Sequence, residues 1–163
     1  MRVLGIDPGT YNMGIGVVSS NGSSMTMDYL DILSPSRKYP LPKRLGLIYE
    51  ELSRIVKDWS PGEVAIEQPF AGQNIKAAMA IGQAQAVAMV VASRNDIPVS
   101  SYAPRSVKQA VTDYGGSSKE QVQEMIRVLL ELEETPSTDA ADALAVAICH
   151  INSSDVGHLN IHE

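Results

Sequence analysis

The chain has 163 residues, 44% of them hydrophobic and 20% charged, an amount and balance that suit one globular domain. No run reaches the roughly 18 uninterrupted apolar residues of a bilayer span. The start, with Arg2 and then Asp7 after a very short apolar run, does not read as a secretory leader, and none is expected. The net charge of −6 counts against a nucleic-acid partner, whose affinity comes largely from Lys and Arg on phosphates.

Residues 2–6 read as a short buried strand ending at Asp7, followed by the turn Asp7-Pro8-Gly9-Thr10. Met13 to Ser19 is a second strand, Asn21-Gly22 a hairpin turn, and Ser24 to Leu33 the returning strand. A polar linker, Ser34 to Pro42, leads into a helix from Lys43 to Trp59, whose Leu45, Ile48, Leu52, Ile55 and Val56 keep a 3-4 spacing. Glu63 to Glu67 is a short strand. Asn74 to Ser93 is a long helix with small or flexible residues on more than one face, a surplus that either close packing against the same helix of a second subunit or cover by its own domain on two sides would bury.

Ile97 to Tyr102 is the last strand, and Pro104 opens a helix to Thr112. Ser118, with Gln121 three positions on, caps the next helix, which runs to Leu130. Thr138 caps a final one, Asp139 to Ile151. The domain is expected to span 1–151, with 152–163 a polar C-terminal tail that holds His158 and His162. Three antiparallel strands followed by helix-linked strands predict an α/β fold, one mixed sheet with helices on both faces. The single cysteine, Cys149, lies in an apolar run, which predicts a buried inert thiol and excludes an intrachain disulfide. A cytoplasmic location is expected.

Four carboxylates stand out. Asp7 and Glu67 each end a buried strand, so neighbouring strands would bring them out at one sheet edge. Asp139 and Asp142, three apart on a helix, share a face and interrupt a run of Ala, Leu and Val where a carboxylate is costly unless paired or ligating. Acids of this kind hold magnesium, which prefers carboxylates and water. Two such ions serve an in-line phosphodiester displacement. Blander roles exist for three of them, Asp139 as a first-turn acid favoured by the helix dipole, Asp7 as a turn-former and Glu67 as a surface residue, while Asp142 in its small, apolar surroundings is harder to explain so.

Lys108 and Lys119 are candidates for holding a phosphate, and Arg105 shares the helix face of Lys108. Phe70, the only Phe, is placed in a loop where it would stack on bases or fold onto the core. His150 is a possible auxiliary of the carboxylates. The basic residues cluster, first as Arg37, Lys38, Lys43, Arg44, Arg54 and Lys57, while none follows Arg127.

Leu4-Gly5-Ile6-Asp7-Pro8-Gly9-Thr10, Ala65-Ile66-Glu67-Gln68-Pro69-Phe70 with Asn74, Lys108-Gln109-Ala110-Val111, Lys119, and Asp139-Ala140-Ala141-Asp142-Ala143-Leu144-Ala145 together resemble the RuvC family of Holliday-junction resolvases. The first motif alone also opens sugar kinases and chaperone ATPases, which need well over twice this length. The resemblance implies a ribonuclease-H-like fold with a five-stranded mixed sheet, and a homodimer that makes paired symmetric nicks in four-way DNA junctions, leaving 5′-phosphate and 3′-hydroxyl ends. It implies two Mg2+ ions per site, with Mn2+ able to substitute, on Asp7, Glu67, Asp139 and Asp142. Lys108 and Lys119 take the family's functional lysines, Phe70 the base-contacting aromatic, and Asn74 and Arg105 lie where DNA would be met. A branch-migration complex of a junction-binding tetramer and a ring ATPase is the implied partner. The acidic charge and lack of basic residues at the end depart from many relatives and suit weaker DNA binding. A ribonuclease-H-like nuclease acting on RNA, or a non-catalytic junction-binding dimer, are the alternatives.

Overall fold

Alternation along the strands decides which helices each face of the sheet collects. In β1 (Arg2–Asp7), Val3 packs into one core cluster while Leu4 and Ile6 pack into the other. In β4 (Glu63–Glu67), Ala65 joins the first cluster and Val64 and Ile66 the second. Successive strand side chains point to opposite faces, so Asp7 shares a face with Val3, and Glu67 with Ala65. The structure, a computed structural model, describes residues 1–69 and 74–159.

With β2 (Met13–Ser20), β3 (Met25–Leu33) and β5 (Val99–Tyr102), these strands form a five-stranded sheet in the order β3-β2-β1-β4-β5. β1, β2 and β3 pair antiparallel, whereas β1–β4 and β4–β5 are parallel. Helices α1 (Leu41–Trp59) and α2 (Ile75–Arg94) supply one core cluster with Ile48, Leu52, Ile55, Ala84, Ala88 and Val91. Helices α3 (Pro104–Thr112), α4 (Lys119–Leu129) and α5 (Thr138–Leu159) supply the other through Val107, Val122, Ile126, Leu144 and Ile148. This is the expected mixed sheet with helices on both faces.

Three boundaries differ from the sequence reading by two residues or more. α1 begins at Leu41, so Pro42 is helical; proline needs no hydrogen-bonded N–H in a first turn. β5 begins at Val99, after Pro98, whose carbonyl accepts from the Val64 N–H. The expected tail from residue 152 is, through Leu159, a continuation of α5. Its first polar residues are satisfied in place: Asn152 donates to the Ala110 carbonyl at 3.1 Å, and the Ser153 and Ser154 hydroxyls donate to the carbonyls of Cys149 and His150. Cys149 is buried as expected.

α2 is long and apolar enough by composition to cross a membrane, with a mean hydropathy of 1.5. Its Ala84, Ala88, Val91 and Ala92 are buried against the protein's own core, while Ile75, Met79 and Val90 are exposed.

Candidate active site

Ile6 is paired with Ile66 across the parallel β1–β4 ladder, so Asp7 and Glu67 follow side by side at the same sheet edge and on the same face. α5 lies across that face. Its close approach requires two glycines. A Cβ on Gly5 would collide with the Ala143 carbonyl and the Ala147 side chain, and one on Gly14 with the Asp139 carbonyl. Absent side chains on β1 and β2 thus let the first turns of α5 settle onto the strand ends, which places Asp139 and Asp142 beside Asp7.

The electrostatics record that convergence. The Asp7 carboxyl is pushed up to about 7 from 3.8, first by burial and then by the negative charges of Asp142 and Asp139, with Lys119 opposing. Glu67 is pushed up to about 7 from 4.5 by burial, Asp7 and Asp142, with Lys119 and Lys108 opposing. Asp142 is raised by burial, with Lys119 lowering it and Asp139 raising it. Asp7, Glu67 and Asp142 therefore resist ionisation, chiefly because they are buried and in second place because of nearby negative charge.

Two lysines supply part of it. Lys119, the first residue of α4, holds its Nζ 4.0 Å from Asp142 Oδ2. Lys108, on α3, joins Glu67, Lys119 and Asp142 in lining a cavity of about 260 Å³ floored by Val107, Val122 and Ala145. Next to it, Arg105 and Lys108 line a second cavity of about 570 Å³ with Tyr114, Gly115 and Gly116.

Among the described residues no three His, Cys, Asp or Glu side chains are drawn together into a finished ligand cage. The donor set nonetheless fits a hard divalent cation: all donors are carboxylate oxygens, they are crowded, and their charge is unmet.

Other candidates fall elsewhere. Asn74 is the N-cap of α2, its Oδ1 accepting from the Ala77 N–H. Phe70 lies outside the described residues. His150 is not brought to the carboxylates. It is buried, with Nε2 2.6 Å from Glu63 Oε2 and Nδ1 2.8 Å from the Tyr102 hydroxyl. Glu63 begins the strand that Glu67 ends, so both ring nitrogens are engaged away from the site.

Sequence reasoning missed Asn12. Its Nδ2 donates to Asp139 Oδ2 at 3.5 Å while its Oδ1 accepts from the Ser34 hydroxyl at 3.0 Å. The only signal was its nearness to Asp7 in the chain.

Residues 3–150 match the family described as "Crossover junction endodeoxyribonuclease RuvC". The chain belongs to that family. It is 49% identical over 151 residues to the "Crossover junction endodeoxyribonuclease RuvC" of Dehalococcoides mccartyi strain BAV1, covering 92% of this chain and 90% of that one. The protein of that description from Chloroflexus aggregans is 45% identical, with 92% of each chain covered. Among solved structures, "T. thermophilus RuvC in complex with Holliday junction substrate" superposes with a TM-score of 0.92 at 33% identity, over 96% of each chain. The yeast mitochondrial Holliday junction resolvase Ydc2, at 16% identity and a TM-score of 0.67 over 96% of this chain and 82% of that one, shares the fold. Family and fold together make the chain a divalent-metal-dependent nuclease.

Proposed function

We propose that this chain, as a homodimer, resolves four-way DNA junctions by paired symmetric nicks that leave 5′-phosphate and 3′-hydroxyl ends. The observation that carries the reading is the convergence of Asp7, Glu67, Asp139 and Asp142, two from adjacent strand ends and two from one helix turn, against Lys108 and Lys119. The family match and the superposition on a junction-bound relative point to the substrate.

The four carboxylates would hold two Mg2+ ions, with Mn2+ able to replace them. When bound, such ions supply Lewis-acid polarisation of the phosphate and lower the pKa of an attacking water. The protein's own residues do the rest. Lys119, 4.0 Å from Asp142, and Lys108 across the cavity bind the scissile phosphate and offset its growing negative charge. Asn12 orients Asp139 through its amide. Arg105 extends the basic lining along the neighbouring cavity, and Phe70 and Asn74 meet the DNA near the branch point.

An apolar stripe on α2 supports the dimer. Ile75, Met79, Ala86 and Val90, interrupted by Gln83, follow one another at helical spacing on the face away from the core, with Ile75 71%, Met79 62% and Val90 50% exposed. A second subunit would cover it. A branch-migration complex, a junction-binding tetramer with a ring ATPase, is the partner that the family resemblance implies.

The test is purified protein with magnesium and labelled four-way junction, linear duplex and RNA–DNA hybrid. Symmetric nicks in the junction, with the duplex left intact, are expected. Cutting of the hybrid and not the junction would overturn the substrate assignment in favour of an RNA-directed nuclease.

A further inference from the structure

Between Asp31 and Glu50 the chain carries Arg37, Lys38, Lys43 and Arg44 and no acidic residue. Among the described residues none of these four takes part in an ion pair. Three of them are held against aromatic rings. The Arg44 guanidinium carbon lies 4.0 Å from the centre of the Tyr11 ring, and that of Arg37 lies 4.8 Å from the same ring. Lys43 Nζ sits 4.0 Å from the centre of the Tyr39 ring. Aromatic faces attract cations and hold planar guanidinium groups in fixed orientations, which reduces what is lost when they bind a planar or tetrahedral anion.

Arg44 is the telling member. It is only 7% exposed, and its Nε has no hydrogen-bond partner. A buried guanidinium without a carboxylate is costly, and an anion is the group that would complete it. Tyr11, which covers it, is 45% exposed.

The cluster also borders the carboxylates. Tyr11 precedes Asn12, and Asn12 bonds both Asp139 and Ser34, which stitches the loop after Asp7 between α5 and the segment leading to Arg37. Lys108, Lys119 and Arg105 are carried by α3 and α4. The Tyr11 cluster is a separate basic group, on the loop after β1, the segment after β3 and the start of α1.

We propose that Arg37 and Arg44, held by Tyr11, together with Lys38 and Lys43, form a second phosphate-binding track that grips the DNA backbone beside the carboxylates. This rests on the reading of the chain as a junction nuclease and names surface that holds its substrate. Guanidinium groups match phosphate oxygens in pairs, and each phosphate neutralised releases condensed counterions. The track thereby gives an acidic chain a local means of binding a polyanion.

The test measures the affinity of labelled four-way junction across a series of salt concentrations. The parent is the Asp142→Asn protein in magnesium, so that binding is read without cutting. The variant adds Arg37→Ala, Lys38→Ala and Lys43→Ala, all exposed positions whose loss leaves the core untouched. The track predicts binding weakened by about tenfold or more at low salt, and a log–log salt slope shallower by about 2 to 3, close to one per lost phosphate contact. Arg44→Gln, which keeps the side chain's bulk, should also reduce the slope; a fall in its melting temperature would leave the triple variant to decide. Unchanged affinity and slope in a triple variant that melts like its parent would overturn the track and leave the nuclease reading standing. A parent that binds no junction would overturn both.

Discussion

Asp7 and Glu67 hold their protons far above the usual carboxylate range, near pH 7, because they are buried against each other and against Asp142. Without divalent ions the folded chain keeps protons that the unfolded chain releases from about pH 4 upward. These two groups therefore favour the fold at low pH, and their contribution is lost as pH rises through about 7. Melting curves in EDTA should show the melting temperature falling between pH 5 and 8, and magnesium at pH 8 should raise it again. Glu67→Gln should weaken both effects. A wild-type protein indifferent to magnesium would contradict a cation-demanding site. At this scale the sequence was informative where side-chain alternation applies: Asp7 and Glu67 end buried strands, and Asp142 interrupts an apolar helix. It was mute on contacts made across the chain. Asn12 reaches Asp139 over 127 positions, and His150 reaches Glu63 over 87. No local period encodes such pairs, and the expected role of His150 near the carboxylates was lost to that distant partner.

The elements were legible wherever capping or periodicity is strong. The capping box from Ser118 to Gln121 is present in both directions, and α3 has its expected bounds. α5 was cut short because Asn152, Ser153 and Ser154 read as a polar tail, while their side chains in fact bond to backbone carbonyls of α3 and α5. α2 was recognised as too apolar for an ordinary surface helix, and it has two faces: Ala84, Ala88 and Val91 inward, Ile75, Met79 and Val90 outward. What covers the outer face can be tested. Met79→Glu places a charge in the middle of that stripe, where an unpaired carboxylate would be desolvated in a dimer. Light scattering after size exclusion should give two subunits for the wild type and one for the variant, with helical content unchanged. A wild type that is active and strictly monomeric would refute the packing argument.

For the whole molecule, the sheet order β3-β2-β1-β4-β5 explains why one edge carries the chemistry. The antiparallel-to-parallel change falls at β1, so Asp7 has Glu67 as a strand neighbour on one side and the glycine-lined approach of α5 above it. Strand order was only partly readable, since nothing in a short apolar strand says which partner it takes. The net charge of −6, which argued against DNA, is an average over a molecule whose charges are sorted. Carboxylates gather at the site, and basic residues gather on α3 and α4 and around Tyr11. The convergence at the β1–β4 strand ends requires that Asp7, Glu67, Asp139 and Asp142 act as one site on a junction. Single-turnover cleavage of a labelled four-way junction in magnesium, by the four variants Asp7→Asn, Glu67→Gln, Asp139→Asn and Asp142→Asn, tests it most directly. Each variant should bind the junction but cut at least about a hundredfold more slowly, as expected when charge stabilisation is removed from the reacting centre. Wild-type cutting by any of them would contradict the claim.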